Sequence, residues 1–324
     1  MVKAIRIHET GGPEVMKLED VDLPDPGPGQ ARVKHTAIGL NYIDTYHRSG
    51  LYPIALPSGL GLEAAGVVEA VGEGVTNVAE GDRVAYGSGP LGAYSEAQNC
   101  FAAGLIKLPD GVKEDEAAAL MMKGLTVRYL FKETYKVKAG ETILFHAAAG
   151  GCGLVACQWA RELGVTMIGT VGSEEKAELA RAHGCAHVIN YSTENVPERV
   201  ADITNGAKVP VVYDGVGKDT FEMSLDCLAP RGLLASFGNA SGPVTGVDLS
   251  TLQNKGSLYV TRPTMLHYMM SPDQVAEATA DLFDVVARGA VKVDINQRYA
   301  LADAAQAHID IQGRKTTGAT IIEP

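Results

Sequence analysis

The chain has 324 residues, about twice the usual length of one domain, which points to two domains and room for a substantial core. With 46% hydrophobic and 21% charged residues the composition is globular and excludes an extended disordered chain. Against 39 acidic side chains stand 28 basic ones, a formal charge of −11, so gripping nucleic-acid phosphates or anionic membranes is excluded as the main task, and a local basic pocket is not.

The opening residues MVKAIRIHET read as a charged, strand-like start without an apolar signal core. Up to residue 110 the chain is punctuated by glycine and proline, beginning at Pro24-Asp25-Pro26-Gly27-Pro28-Gly29. Its apolar runs are short, at 31–38, 66–71, 83–86 and 93–97, which predicts a β-rich region. Cys100, Cys152, Cys157, Cys185 and Cys227 form no C-x-x-C, so neither a disulfide framework nor a zinc knuckle is readable, and a reducing, cytoplasmic setting is expected.

From residue 142 the texture changes. Strands are predicted at 142–147, 166–171, 187–190, 210–214, 233–237 and 257–261, with helices at 152–163, 174–183, 197–204 and 219–228 between them. This rhythm is that of an α/β doubly wound parallel sheet, which takes its ligand at the strand C-terminal ends. Residues 142–160 lack Asp, Glu, Lys and Arg, but His146 and the glycines that follow break the run, so it is read as a buried strand leading into a helix and no membrane association is expected. The closing segment offers a helix at 273–288, a short strand at 298–301, a second helix and an apolar end at 319–322, and is expected to rejoin the first domain.

The most informative motif is Ala148-Ala149-Gly150-Gly151-Cys152-Gly153, a dinucleotide pattern with alanine in place of the first glycine. An apolar strand precedes it and an amphipathic helix containing Trp159 follows, so backbone N–H groups at the helix start can meet a pyrophosphate. The alternative is a tight strand-to-helix turn. About twenty residues on, where a NAD site offers a carboxylate to the ribose, the chain reads Thr170-Val171-Gly172-Ser173 and then Lys176. Hydroxyl and ammonium donors there favour NADPH. Against this, Ser173 would merely cap the next helix, and Glu174 and Glu175 lie close by.

The segments Gly39-Leu40-Asn41-Tyr42-Ile43-Asp44, Gly61-Leu62-Glu63-Ala64-Ala65-Gly66, Gly81-Asp82-Arg83-Val84 and Lys123-Gly124-Leu125-Thr126, with the glycine motif and 256–263, occur in the order of the medium-chain dehydrogenase/reductase superfamily. The whole chain resembles its zinc-independent NADPH:quinone oxidoreductases of the zeta-crystallin type. The resemblance implies a GroES-like β-rich catalytic domain beginning at 1–122, a Rossmann NADPH-binding domain over 123–262, a return to the catalytic domain over 263–324, and a homodimer. The positions of the catalytic metal ligands in zinc-dependent relatives correspond to Asn41, Leu62 and Lys123, none of which is the expected ligand, so no metal is expected.

The resemblance further implies that Gly150, Gly151 and Gly153 approach the pyrophosphate and that Gly172, Ser173, Lys176 and Tyr191 hold the adenosine and its 2′-phosphate. Val216, Phe237, Gly238, Asn239, Val260, Thr261 and Arg262 would line the nicotinamide half, joined by Asn41, Tyr42, Asp44, Tyr46, Lys123, Thr126 and Tyr129. Arg314 is either a phosphate contact or surface, and Gly215 stands where bacterial relatives carry serine. Tyr52, Tyr46 and Asn41 are the catalytic candidates: the tyrosines could stack on a flat ring, and Tyr52 could donate a proton or simply pack. Lys123 either sets a positive charge near the acceptor oxygen or pairs with a carboxylate such as Asp44. Cys152 and the histidines are read as structural. The implied activity is NADPH-dependent reduction of small quinones; reduction of activated C=C bonds in enones or enoyl thioesters is the alternative, and a non-enzymatic NADPH- or RNA-binding protein the third, with no nucleic-acid partner expected.

Overall fold

The structure, a computed structural model, describes all 324 residues. They form two compact units, Met1–Leu125 with Val293–Pro324, and Thr126–Lys292.

In the first unit β1 (Val2–Ile7) pairs with β2 (Lys17–Val21) and β4 (Ser58–Gly59). The larger sheet is built on β3 (Gln30–Gly39), β5 (Ala64–Val71), β6 (Arg83–Tyr86), β8 (Ile106–Lys107), β15 (Ile295–Ala300) and β16 (Ala319–Glu323), ordered β15-β16-β3-β5-β6-β8, with β7 (Ala97–Phe101) also on β3. Register shifts at Arg32/Val33 and His35/Ala37 bend β3 against β5. Gly66 allows that close approach, since a Cβ there would strike the Lys34 carbonyl oxygen. The core gathers Ile7, Val33, Ile38, Leu60, Tyr94 and Ile322, and α1 (Tyr42–Ser49) and α9 (Ala304–Gln312) belong to the same unit. The apolar run 93–97 is not a strand: Ser95 makes an isolated bridge to Ala4, its Oγ bonds the Gly92 and Ala97 carbonyls, and the strand begins at Ala97.

The second unit is a six-stranded parallel sheet of β9 (Thr142–Phe145), β10 (Thr166–Val171), β11 (His187–Asn190), β12 (Val209–Asp214), β13 (Leu228–Ser236) and β14 (Tyr259–Thr261), ordered β11-β10-β9-β12-β13-β14. Its crossover helices include α3 (Gly151–Glu162), α4 (Glu174–Ala182), α5 (Val196–Ile203) and α6 (Phe221–Cys227). The order reverses between β9 and β12, the switch point at which such sheets open a crevice at their carboxyl ends. The strand expected over 142–147 stops at Phe145 because Ala147 turns left-handed, φ 57°.

Residues 263–292, expected to return with the closing segment, lie in this second unit. Within it α8 (Pro272–Ala287) presents Glu277 and Asp281 to the buried Arg128 guanidinium, both at 2.9 Å. Gln158 holds Lys292 by two backbone bonds, each 2.9 Å. The sequence reading lacks three helices: α1, which it takes as a loop, α2 (Glu114–Tyr129), whose apolar residues are not gathered on one face, and the short α7 (Leu249–Asn254). No helix is long and apolar enough to cross a membrane.

His35 lies in the first unit's core, with Nδ1 2.7 Å from the Ser95 carbonyl and Nε2 2.8 Å from the Tyr86 hydroxyl, and burial pushes its pKa down from 6.5 to about 4. As pH falls the unfolded chain takes the proton first, so this group's contribution is intact above 6.5 and is lost toward 4. His35→Gln, which can keep both bonds, should therefore remove about 3 kcal/mol of acid destabilisation across that window. Denaturant midpoints of the two proteins at neutral and mildly acid pH check it, and equal pH slopes would contradict it.

Candidate functional site

In the second unit the glycine motif sits at the end of β9. Gly150 caps α3 in an extended conformation, Ala148 N–H donates to the Thr170 carbonyl at 3.0 Å and Gly150 N–H to that of Ala147 at 3.0 Å. A Cβ at Gly153 would strike the carbonyl oxygens of Ala147 and Ala148, so the helix start seats directly on the turn. Alanine at the left-handed position 147 stores strain on the order of 1 kcal/mol. The first turn of α3 carries no acid, and its N-terminal N–H groups and dipole suit a pyrophosphate.

At the end of β10, Gly172, Ser173, Lys176 and Tyr191 come together. A Cβ at Gly172 would lie 2.5 Å from the Tyr191 hydroxyl. Ser173 does cap α4, its Oγ accepting Lys176 N–H at 3.3 Å; capping uses the oxygen as acceptor, whereas a 2′-phosphate would take the hydroxyl as donor. The Glu174 carboxylate, a possible repellent to phosphate, is bound to Arg181 at 2.6 Å. These residues fit a phosphorylated adenosine.

The third group follows β12 and β13. Val216 N–H donates to Asp214 Oδ1 at 2.7 Å, and Phe237 N–H to the Asp214 carbonyl at 2.8 Å. A Cβ at Gly238 would strike the Gly215 carbonyl oxygen, and one at Gly215 would stand 3.0 Å from Phe237 Cζ, so glycine at 215 makes room for that ring. Asn239 follows Gly238 in this turn, and Val260 and Thr261 end β14, with Arg262 just after them, its guanidinium reaching the Ser236 carbonyl at 2.6 Å. Thr126 and Tyr129 are buried on α2, where Tyr129 stacks on Tyr268 at 4.5 Å and burial raises its hydroxyl pKa above the usual range.

In the first unit Asn41 caps α1. Its Nδ2 donates to Glu63 Oε2 at 2.6 Å, and Lys123 Nζ donates to Asn41 Oδ1 at 2.9 Å and Glu63 Oε2 at 3.1 Å. Glu63 Oε1 accepts Met122 N–H at 2.6 Å. All three side chains are buried, Glu63 completely. The partner of Lys123 is thus Glu63, not the expected Asp44. Asp44 Oδ2 instead accepts Asn41 N–H and the Tyr94 hydroxyl, both at 2.8 Å, and burial raises its pKa to about 7. Tyr94 continues to His308 at 3.1 Å, whose other ring nitrogen accepts from Arg48 at 3.1 Å. Because a guanidinium only donates, His308 Nε2 carries the proton and points it at Tyr94.

Tyr42, Tyr46 and Tyr52 form an aromatic run, with ring centroids 5.6 Å and 5.2 Å apart. Arg314 is exposed, and its charge acts on Tyr42, whose hydroxyl pKa burial raises. Glu63 was not singled out in the sequence, although it is the sole charge in the run 59–68, and neither was Asp214, the charge that ends an apolar strand.

Residues 151–287 match the zinc-binding dehydrogenase family and 27–110 the alcohol dehydrogenase GroES-like domain. The chain is 58% identical over 325 residues to a quinone oxidoreductase of Pseudomonas aeruginosa, covering 100% of both chains. It is 47% identical to a 2-haloacrylate reductase of Burkholderia, covering 100% of this chain and 99% of that one. Among solved structures, the Escherichia coli quinone oxidoreductase complexed with NADPH superposes with a TM-score of 0.98 at 50% identity, covering 99% of this chain and 100% of that one.

Lys123→Met would leave the Glu63 carboxylate buried without its cation and should destabilise the protein by about 3 kcal/mol, most of which Glu63→Gln in the same chain should restore. Denaturant unfolding of the single and double variants decides it, and an undiminished single variant would contradict the pairing.

Proposed function

The chain belongs to the quinone oxidoreductases of the medium-chain dehydrogenase/reductase superfamily, and on that premise we propose how its residues divide the work. It is an NADPH-dependent enzyme that reduces quinones. NADPH, when bound, supplies a hydride; a quinone that takes it needs one further proton to become the hydroquinone.

The second unit holds the cofactor. Backbone N–H groups from Gly150 onward meet the pyrophosphate, and Ser173, Lys176 and Tyr191 hold the phosphorylated adenosine. The turns at 215–217 and 237–239, with Val260, Thr261 and Arg262, flank the nicotinamide half. In the first unit the tyrosine run presents a flat aromatic surface to a quinone ring, and Tyr52 can hand its hydroxyl proton to a reduced oxygen and recover it from water. The Lys123 ammonium supplies positive charge without a metal, in a donor set where a divalent cation would be repelled by that ammonium. The observation that carries the reading is the phosphate turn at the sheet's switch point, followed one strand away by hydroxyl and ammonium donors instead of an acid.

The exposed edge strand β14, with Tyr259 at 56% and Val260 at 40%, closes one end of the sheet and offers its open side to a second copy. We therefore infer a homodimer, which the mass from sedimentation velocity checks. None of the five cysteines forms a disulfide, which suits a reducing, cytoplasmic compartment.

Steady-state NADPH oxidation with 1,4-benzoquinone, run beside 2-haloacrylate and an enoyl thioester, tests the acceptor class. Faster turnover of the quinone is expected, and turnover of the conjugated acids or thioesters alone would move the assignment to C=C reduction, the second reading favoured by the Burkholderia relative. Lys176→Ala should raise KM for NADPH about tenfold and leave that for NADH nearly unchanged. Equal effects on both cofactors would refute its part in phosphate binding.

A further inference from the structure

Beneath the cofactor turns of the second unit runs a line of buried polar side chains that the assignments above leave unused. Asp214, 1% exposed, receives four donors: Val216 N–H at 2.7 Å and Gly217 N–H at 3.1 Å on Oδ1, and Thr220 Oγ1 at 2.7 Å and Ser224 Oγ at 3.0 Å on Oδ2. Ser224 Oγ lies 3.0 Å from His146 Nε2, and His146 Nδ1 lies 2.9 Å from Thr170 Oγ1. Ser224, Thr170 and His146 are each no more than 2% exposed.

The direction of every bond follows from the carboxylate at one end. It can only accept, so the Ser224 hydroxyl donates to it and accepts from His146 Nε2–H, which leaves Nδ1 to accept from Thr170. Burial pushes the imidazole pKa below its ordinary value and keeps the ring neutral, as this pattern requires. Serine, histidine and aspartate together invite a comparison with a nucleophilic triad, but here the serine proton goes to the carboxylate rather than to the imidazole and no member reaches solvent. The line has no chemistry to perform and instead crosses three neighbouring strands, β10, β9 and β12.

Three of the four members stand just before a cofactor turn, and Ser224, on α6, joins them. His146 precedes the left-handed Ala147, Thr170 precedes Gly172 by two residues, and Asp214 precedes Gly215. The Asp214 carbonyl also accepts from Phe237 at 2.8 Å and Gly238 at 3.3 Å, which ties in the turn after β13.

We propose that Asp214 is a positioning residue that, through Ser224, His146 and Thr170, fixes the pyrophosphate turn and the adenosine turn relative to the turns at 215–217 and 237–238. The inference rests on the reading that this unit holds NADPH. The cradle then stands ready before the ligand arrives, and binding does not have to order four separate loops.

The test compares NADPH dissociation constants, from nucleotide fluorescence, with melting temperatures for Asp214→Asn, Ser224→Ala and the control Val200→Ala, whose fully buried side chain lies in the apolar core of the same unit. Asp214→Asn and Ser224→Ala should weaken NADPH binding about tenfold well below their melting temperatures, the effect of losing a hydrogen bond to a charged group. Val200→Ala should lose comparable thermal stability and bind NADPH as the wild type does. Should Asp214→Asn fail to fold, Ser224→Ala and Thr170→Val carry the same expectation. Affinity that tracks melting temperature across all variants, or wild-type affinity in the folded network variants, overturns the positioning role while leaving the cofactor reading intact. Failure of the wild-type protein to bind NADPH overturns the cofactor reading, and this inference with it.

Discussion

Each unit is organised around a carboxylate that water cannot reach. A buried charge is tolerated when a counter-charge or enough hydrogen-bond donors meet its oxygens, and leaving it bare costs about 3 kcal/mol or more. Glu63 meets this condition with an ammonium, an amide and a backbone N–H; Asp214 meets it with two backbone N–H groups and two hydroxyls. The donors to Glu63 come from distant parts of the chain, Lys123 being 60 residues away, whereas those to Asp214 are local. Satisfying Glu63 fixes where α1 and α2 meet β5 in the first unit; in the second, Ser224 carries the link from Asp214 on to His146 after β9 and Thr170 on β10.

The first of these arrangements bears on how the superfamily's chemistry is run here. By the resemblance to the superfamily, the positions that hold a metal in zinc-dependent members carry an amide, an alkyl group and an ammonium in this chain, at Asn41, Leu62 and Lys123. The ammonium keeps a positive charge at that place, and its two acceptors hold it there. A quinone is already electron-poor and accepts a hydride without a Lewis acid, which is what the proposed part of Lys123 requires.

The parallel sheet was readable because its strands, buried on both faces, appear as short apolar runs bounded by turn residues, with helices of ordinary length between them. The phosphate turn was readable for a related reason, since close seating of helix on turn demands glycine at 153. Helix α2 escaped because apolar residues on all sides leave no stripe to detect. The partner of Lys123 escaped because choosing between Glu63 and Asp44 depends on how β5 and α1 are placed, which local spacing does not encode. The line from Asp214 to Thr170 joins the ends of three strands and helix α6, spread over residues 146–224, and local sequence patterns do not reach across that span.

In the proposed function an ammonium held by Glu63 and Asn41, and no metal, serves the acceptor side of an NADPH-dependent quinone reductase. The most direct measurement is the elemental zinc content of purified protein set against its rate of NADPH oxidation by 1,4-benzoquinone, before and after exhaustive chelation. Full activity at far less than one zinc per chain and no change on chelation are expected. Activity that rises and falls with stoichiometric zinc would contradict that role of the ammonium.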